Sequence, residues 1–141
     1  MIAFLDTSVL IAASDSGDSR HALSFALLTA ATKETTACGA QTLAEVYAVL
    51  SRLPGGRRLR PVLVGQMVEQ IRGRMTVVPL TVEEYGTTIR HTAQSSLADG
   101  IVFDALLLAC ARKVDAERIY TWNVKHFRMV APDLAERIVT P

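Results

Sequence analysis

Three acidic residues, Asp6, Glu45 and Asp104, each lie inside an otherwise apolar stretch of the chain. A carboxylate that folding removes from water must become neutral, pair with a cation or bind a metal, because an unpartnered buried charge is costly. No Lys or Arg lies one helical turn from Glu45 or Asp104 to serve as a local partner. We therefore expect the three carboxylates to converge in space on a hard divalent cation.

Short apolar runs alternate with helical patterns along the chain, which is typical of an α/β domain built on a parallel sheet. Strands are predicted at residues 1–5, 35–38, 75–79, 118–121 and 138–139. Helices are predicted at about 8–14, from Asp18 or Ser19 as cap to about 31, at 42–53, 61–72 and 81–95, and around Asp104. The chain has 141 residues, no repeat and no long linker, so we expect a single domain over residues 1–141.

Capping patterns mark three further helix starts besides the one at Asp18 or Ser19. Thr42 with Glu45, and Thr81 with Glu84, have the spacing of a capping box, in which a Thr and a Glu side chain satisfy each other's backbone N–H groups. Asp99 precedes the helix that carries Asp104, and we favour it as the N-cap of that helix. A place at the rim of the site is the alternative for Asp99.

The composition is that of a globular protein, with 50% hydrophobic residues, 21% charged residues and a net charge of +1. That balance argues against a strongly basic nucleic-acid binder, although an enzyme that holds RNA briefly through a metal needs no basic excess. Cys38 and Cys110 lie among small or apolar residues without CxxC spacing, which predicts two buried thiols. Because no positively charged leader and no apolar run of the ~18 residues of a membrane span occur, we expect a cytoplasmic protein that does not enter the membrane.

The carboxyl ends of parallel strands explain how residues distant in the sequence could meet. Asp6 directly follows the first strand and Asn123 follows the fourth, so both reach the same edge if those strands are neighbours. Glu45 and Asp104 lie early in helices whose N-termini face that edge. The four side chains predict a pocket for Mg²⁺ or Mn²⁺, which prefer oxygen ligands and can activate water against a phosphodiester.

Four segments occur in order along nearly the whole chain: Phe4–Leu10, Thr42–Val46, Asp104–Ala111 and Thr121–Phe127. Together they resemble the PIN-domain ribonucleases, and most closely the VapC-type toxins of bacterial toxin–antitoxin pairs. The resemblance implies a three-layer α/β/α domain with a central parallel sheet.

The resemblance also implies roles for individual residues and for partners. Asp6, Glu45 and Asp104 stand where such proteins bind Mg²⁺ or Mn²⁺ for RNA hydrolysis. The family often carries a fourth acid where this chain has Asn123, to which we assign the orientation of water or substrate. The implied partners are an RNA substrate, a small cognate antitoxin that covers the site, and a second copy of the chain in a homodimer.

Each of these residues could instead have a purely structural role. Asp6 could only cap the helix after the first strand, Glu45 could only complete a capping box, and Asn123 could be a plain turn residue. Trp122 is better interpreted as a packed aromatic than as a platform for a base. The Arg57–Arg60 cluster is a solvated turn or a patch that steers RNA phosphates.

Two other classes of function stay open. An aspartyl-phosphate phosphohydrolase could use Asp6 as its nucleophile, but such enzymes usually have a second Asp two residues on, where this chain has Ser8. A non-catalytic RNA- or protein-binding PIN-like module is the other alternative. Intact carboxylates at all three positions favour the nuclease.

Overall fold

A central sheet of five parallel strands, in the order β3-β2-β1-β4-β5, forms the middle of the computed structural model, which describes residues 1–141. The strands are β1 (Ala3–Leu5), β2 (Thr36–Gly39), β3 (Thr76–Val78), β4 (Arg118–Tyr120) and β5 (Ile138–Val139). All five strands that the apolar runs predict are present, with bounds that agree to within two residues.

Seven helices connect and cover the strands, so the predicted three-layer α/β/α architecture is confirmed. They are α1 (Thr7–Ser14), α2 (His21–Ala30), α3 (Ala40–Leu50), α4 (Pro61–Arg74), α5 (Val82–Gln94), α6 (Ile101–Lys113) and α7 (Val124–Val130). The sequence patterns predicted the first six but not α7. None of the helices is both long and apolar enough to cross a lipid bilayer.

Two hydrophobic cores lie on opposite faces of the sheet, because successive residues of a strand point to opposite sides. Phe4 and Ala37 pack with buried residues of α6 and α7. The helix α5 in turn packs against α6. Leu5 and Cys38 pack on the other face with residues of α1, α3 and α4. The sheet is therefore covered on both sides, which is the usual condition of a parallel sheet.

β1 lies at the centre of the sheet, between β2 and β4. Leu5 pairs with Tyr120 across β1 and β4, so these two strands end side by side, as the predicted site requires. The chain crosses from one side of β1 to the other between β3 and β4, and this reversal of strand order is where open parallel sheets bind ligands.

Gly39 brings α6 close to the end of β2. A Cβ atom at this position would lie 2.7 Å from Cδ2 of Leu107, so any larger residue would require the Leu107 side chain to move. The helix α3 begins immediately after Gly39, and α3 and α6 are thereby brought to the same end of the sheet.

The two predicted capping boxes have different outcomes. The box at Thr81 and Glu84 is confirmed, with Thr81 Oγ1 accepting from Glu84 N at 3.1 Å and Glu84 Oε1 accepting from Thr81 N at 3.3 Å. The box at Thr42 and Glu45 is wrong, because α3 begins at Ala40 and both residues lie inside the helix. Glu45 is therefore in the second turn rather than the first.

The predicted aspartate caps are also corrected. Asp99 has a φ of 58°, in the left-handed region, and Gly100 takes the N-cap position of α6 without a side-chain hydrogen bond. Neither Asp18 nor Ser19 caps α2, whose N-cap is Arg20. Asp18 Oδ1 accepts from the backbone N of Arg20 at 2.8 Å, and the carboxylate also pairs with the Arg20 guanidinium at 2.9 and 3.0 Å.

Both cysteines are buried free thiols, as predicted. Cys38 packs in the core on one face of the sheet and Cys110 in the core on the other. Burial raises the pKa of Cys38 to about 12 and that of Cys110 to about 11, so both stay protonated and unreactive at neutral pH.

Candidate active site

Asp6 joins the end of β1 to α1 and is 3% exposed. Its Oδ2 accepts three hydrogen bonds, from Ser8 N at 3.3 Å, Ser8 Oγ at 2.6 Å and Thr121 Oγ1 at 2.8 Å. Burial raises the pKa of Asp6, and these hydrogen bonds only partly oppose that rise. Asp6 is thus the N-cap of α1, and because the bonds all end on Oδ2, its Oδ1 is left for another ligand.

Glu45 is half-buried and presents its carboxylate from the second turn of α3. Its Oε1 accepts from Gln41 Nε2 at 2.9 Å and from Thr7 Oγ1 at 3.3 Å. Burial raises the pKa of Glu45, the two hydrogen bonds lower it, and the charge of Asp6 raises it further. As at Asp6, the hydrogen bonds end on one oxygen and leave the other free.

Asp104 lies in the first turn of α6, half-buried, and accepts no hydrogen bond from the protein. Its pKa is raised to about 6, first by burial and then by the charges of Asp6 and Glu45. His126, which is exposed on α7, acts in the opposite direction and lowers the pKa of Asp104. A carboxylate without any local partner is poised to take a proton or an external cation.

Asp6 before α1, Glu45 on α3 and Asp104 on α6 lie close enough for their charges to act on one another. Asp6 raises the pKa of both Glu45 and Asp104 through its charge, and Glu45 does the same to Asp104. None of the six salt bridges in the structure involves any of them. The site is a concentration of negative charge without a Lys or Arg to balance it.

The donor set fits a hard divalent cation, although no three His, Cys, Asp or Glu side chains form a preorganised metal cage. Mg²⁺ keeps several waters and is commonly held by only one or two carboxylates, so a closed cage is not required. No buried side-chain oxygen lacks a hydrogen-bond partner, and the free oxygens of these acids are therefore open to solvent. Such oxygens are available as ligands.

Residues 3–131 match the sequence profile of the family described as PIN domain. This chain belongs to the PIN domain family. The resemblance that the four sequence segments predicted is thereby confirmed, and it extends over nearly the whole length. No curated protein matches the chain.

Solved structures of similar fold come from toxin–antitoxin systems. The toxin VapC20 of Mycobacterium tuberculosis, described as cleaving the sarcin–ricin loop, has a TM-score of 0.70 and 21% identity, over 88% of this chain and 92% of that chain. A toxin–antitoxin complex from Klebsiella pneumoniae has a TM-score of 0.65 and 19% identity, over 99% and 97%. VapBC2 of Rickettsia felis, bound to a promoter DNA fragment, has a TM-score of 0.61 and 20% identity, over 92% of this chain and 93% of that chain. At these identities the likeness establishes the fold alone.

Asn123 reaches the acidic site of this PIN domain through its backbone. Asn123 N donates to Thr121 Oγ1 at 3.0 Å, and that hydroxyl donates to Asp6. Asn123 is the N-cap of α7, but its side chain is exposed and makes no hydrogen bond there. The structure therefore places Asn123 beside the site without engaging its amide.

Trp122 packs beside the site as the sequence suggested. Its Nε1 donates to Ser24 Oγ at 2.8 Å and its backbone N donates to Ser8 Oγ at 3.0 Å. The Arg20 guanidinium lies 5.7 Å from the centroid of the indole ring, within the range of a cation–π contact. Trp122 is therefore held rigidly, and its backbone amide supports the serine that binds Asp6.

The basic cluster divides into a paired and an unpaired part. Arg57 forms a salt bridge with Asp15, which is buried at the C-terminal end of α1. Arg58 and Arg60 are exposed and form no salt bridge. Arg57 thus has a structural contact, and the other two have the properties of a solvated turn.

The sequence patterns did not single out Gln41 or the hydroxyl pair of Thr7 and Thr42, whose Oγ1 atoms lie 2.9 Å apart. Gln41 supplies the shorter hydrogen bond to Glu45. The available signal was its position four residues before Glu45 on the same helix, a spacing at which polar side chains meet. Thr7 and Thr42 come together only through tertiary packing, which no local pattern shows.

Proposed function

We propose that this PIN domain is a divalent-metal-dependent ribonuclease and the toxin of a toxin–antitoxin pair. The observation that carries the proposal is the convergence of Asp6, Glu45 and Asp104 at the carboxyl edge of the sheet, without any balancing Lys or Arg. Membership of the PIN domain family supports the same assignment.

The three acids would hold the Mg²⁺ or Mn²⁺ ion, with Asp6 Oδ1 and the free oxygen of Glu45 as the unengaged donors. When bound, such an ion lowers the pKa of water and stabilises negative charge on a phosphodiester. Ser8 and Thr121 fix the orientation of the Asp6 carboxylate, as Gln41 and Thr7 do for Glu45. Asp104 has no such support, so its side chain can adjust to the ion and the substrate.

Asn123 has the right chemistry for orienting water or a phosphate. Its side-chain amide offers one neutral oxygen and two N–H donors, and it is exposed beside the network that ends on Asp6. A neutral amide would bind a metal ion more weakly than a fourth carboxylate. We therefore assign Asn123 to the substrate rather than to the metal.

A cognate antitoxin and a second copy of the chain are the proposed protein partners. The similar structures from Klebsiella pneumoniae and Rickettsia felis are toxin–antitoxin complexes, which supports an antitoxin for this chain. Exposed apolar side chains provide surface of the kind that protein partners cover. They include Leu23 and Phe25 on α2 and Val62 and Leu63 on α4.

Cleavage of RNA by the purified full-length chain tests the proposal. We expect cleavage with Mg²⁺ or Mn²⁺ and none after treatment with EDTA, with activity restored when excess Mn²⁺ is added back. Cleavage that persists in EDTA would remove the metal assignment. RNA binding without cleavage at any metal concentration would instead indicate a non-catalytic module.

A further inference from the structure

The side-chain amide of Gln41 connects the two helices that carry Glu45 and Asp104. Its Nε2 lies 2.9 Å from Oε1 of Glu45 and 3.1 Å from the backbone oxygen of Phe103. Phe103 directly precedes Asp104 in the first turn of α6. No other side-chain hydrogen bond joins α3 to α6, so this amide is the polar link between the helices that carry Glu45 and Asp104.

The chemistry of the two partners fixes which end of the amide faces them. The ionised carboxylate of Glu45 and the carbonyl of Phe103 only accept hydrogen bonds, whereas the NH₂ group of glutamine has two donors. One N–H for each acceptor uses both donors. The opposite orientation of the amide would place three oxygens against one another and leave no hydrogen bond.

The link acts between groups that otherwise repel. Glu45 and Asp104 are like charges on separate helices, and the protein supplies neither with a salt bridge. The Gln41 hydrogen bond holds the Glu45 carboxylate toward α6, and the second hydrogen bond holds α6 toward α3. Partners that orient a metal-binding carboxylate in this way typically change metal affinity by about 10- to 100-fold when they are removed.

We propose that Gln41 is a positioning residue that sets the separation of Glu45 from Asp104 and thereby the affinity of the acidic site for a divalent cation. The proposal rests on the proposed function, because it requires these two acids to bind the metal. It adds a residue that no motif of the sequence contains, and it assigns that residue to the metal step rather than to the binding of RNA.

The test is Mn²⁺ binding to the full-length, metal-free protein, measured by isothermal titration calorimetry. Gln41→Met keeps the length of the side chain and removes both donors, and we expect its dissociation constant for Mn²⁺ to rise about tenfold. In cleavage assays the Mn²⁺ concentration for half-maximal rate should rise by a similar factor, while the KM for RNA is unchanged. Gln66→Met, at an exposed glutamine of α4 without a hydrogen bond, is the matched control and should bind Mn²⁺ like the wild type.

Two further variants separate positioning from a general loss of structure. Gln41→Asn keeps the amide but is one methylene shorter, so it cannot reach both acceptors, and its Mn²⁺ affinity should fall like that of Gln41→Met. In a Glu45→Gln background, Gln41→Met should have a smaller effect, because the carboxylate that it orients is gone.

The possible failures are distinguishable. If the wild type binds Mn²⁺ and both Gln41 variants bind it equally well, Gln41 has no positioning role and the proposed function is untouched. An affinity loss that is the same size in the Glu45→Gln background would also overturn the positioning role. If the wild type itself does not bind Mn²⁺, the proposed metal site fails and this inference fails with it.

Discussion

Thr121 donates a hydrogen bond of 2.8 Å from its Oγ1 to Oδ2 of Asp6, joining residues that are 115 positions apart in the sequence. The same hydroxyl oxygen accepts from the backbone N of Asn123 at 3.0 Å. Thr121 is fully buried, directly after β4, while Asp6 directly follows the neighbouring strand β1. One hydroxyl therefore ties the two strand ends together and turns the carboxylate so that Oδ1 stays free.

Thr121→Val keeps the shape of the side chain and removes this hydroxyl. We expect the variant to lose about 1.5–3 kcal/mol in its free energy of unfolding, since a buried hydrogen bond to a charged group is lost and Asn123 N loses its acceptor. Urea denaturation of the metal-free protein measures the loss. Thr140→Val, at an exposed threonine without a side-chain hydrogen bond, should change stability little, and a Thr121 variant no less stable than this control would refute the role.

Asp104→Asn separates chemistry from folding, because the wild-type carboxylate accepts no hydrogen bond that the fold needs. The substitution removes a ligand charge at constant volume, so we expect RNA cleavage to slow by at least about a hundredfold. It also removes a repelling charge, so the metal-free protein should melt at the same or a higher temperature than the wild type. Asp99→Asn, at an exposed acid before the same helix, is the control and should cleave normally.

The pH dependence of the free energy of unfolding should reveal the raised pKa values of Asp6, Glu45 and Asp104. Asp104 has a pKa of about 6 in the folded protein against 3.8 for the free side chain, so the folded state retains a proton that the unfolded chain releases. Asp6 and Glu45 shift in the same direction. For such groups the destabilisation is fully present above the folded pKa and is relieved as the pH falls toward the unfolded value.

We therefore expect the metal-free protein to become more stable to urea as the pH is lowered from about 7.5 to about 5. Asp18, whose pKa is lowered to about 2 by its hydrogen bond with Arg20, is ionised in both states over this range and adds no slope. Asp104→Asn should flatten the pH profile. A profile that is already flat in the wild type would show that neither burial nor mutual repulsion raises the pKa values of the three acids in the folded protein.

The sheet was predictable because each strand is a short apolar run bounded by polar residues. Such runs are typical of parallel strands, which are buried on both faces. The first residues of the helices were less predictable, since several residues near one helix N-terminus can have a capping pattern. The capping box at Thr81 forms at the exposed start of α5, where Glu84 also pairs with Lys113. At Thr42 the same pattern fails because α3 begins earlier, at Ala40, and the Thr42 hydroxyl pairs with that of Thr7 instead.

The acids of the candidate site could be proposed from the sequence because a carboxylate in an apolar stretch conflicts with burial and requires a partner. Their supporting residues carry no such conflict. Gln41 is an ordinary helical residue until the first turn of α6 comes within hydrogen-bonding distance of it. The helix α7 has only seven residues and no side-chain cap that would mark its start in the sequence. Contacts of this kind depend on tertiary packing, which local patterns do not contain.

Asn123→Asp tests whether the exposed amide beside Thr121 belongs to the site. The variant adds a fourth negative charge near three others, so the metal-free protein should be less stable to urea than the wild type. With saturating Mn²⁺ the deficit should shrink or reverse, because attraction to a dication exceeds the repulsion, and half-maximal cleavage should need less metal. Asn123→Ala, the charge-neutral control, should slow cleavage less than Asp104→Asn does, since no ligand charge is lost. If Asn123→Asp changes neither the metal requirement nor the stability of the metal-free protein, Asn123 lies outside the site and is only the first residue of a turn into α7.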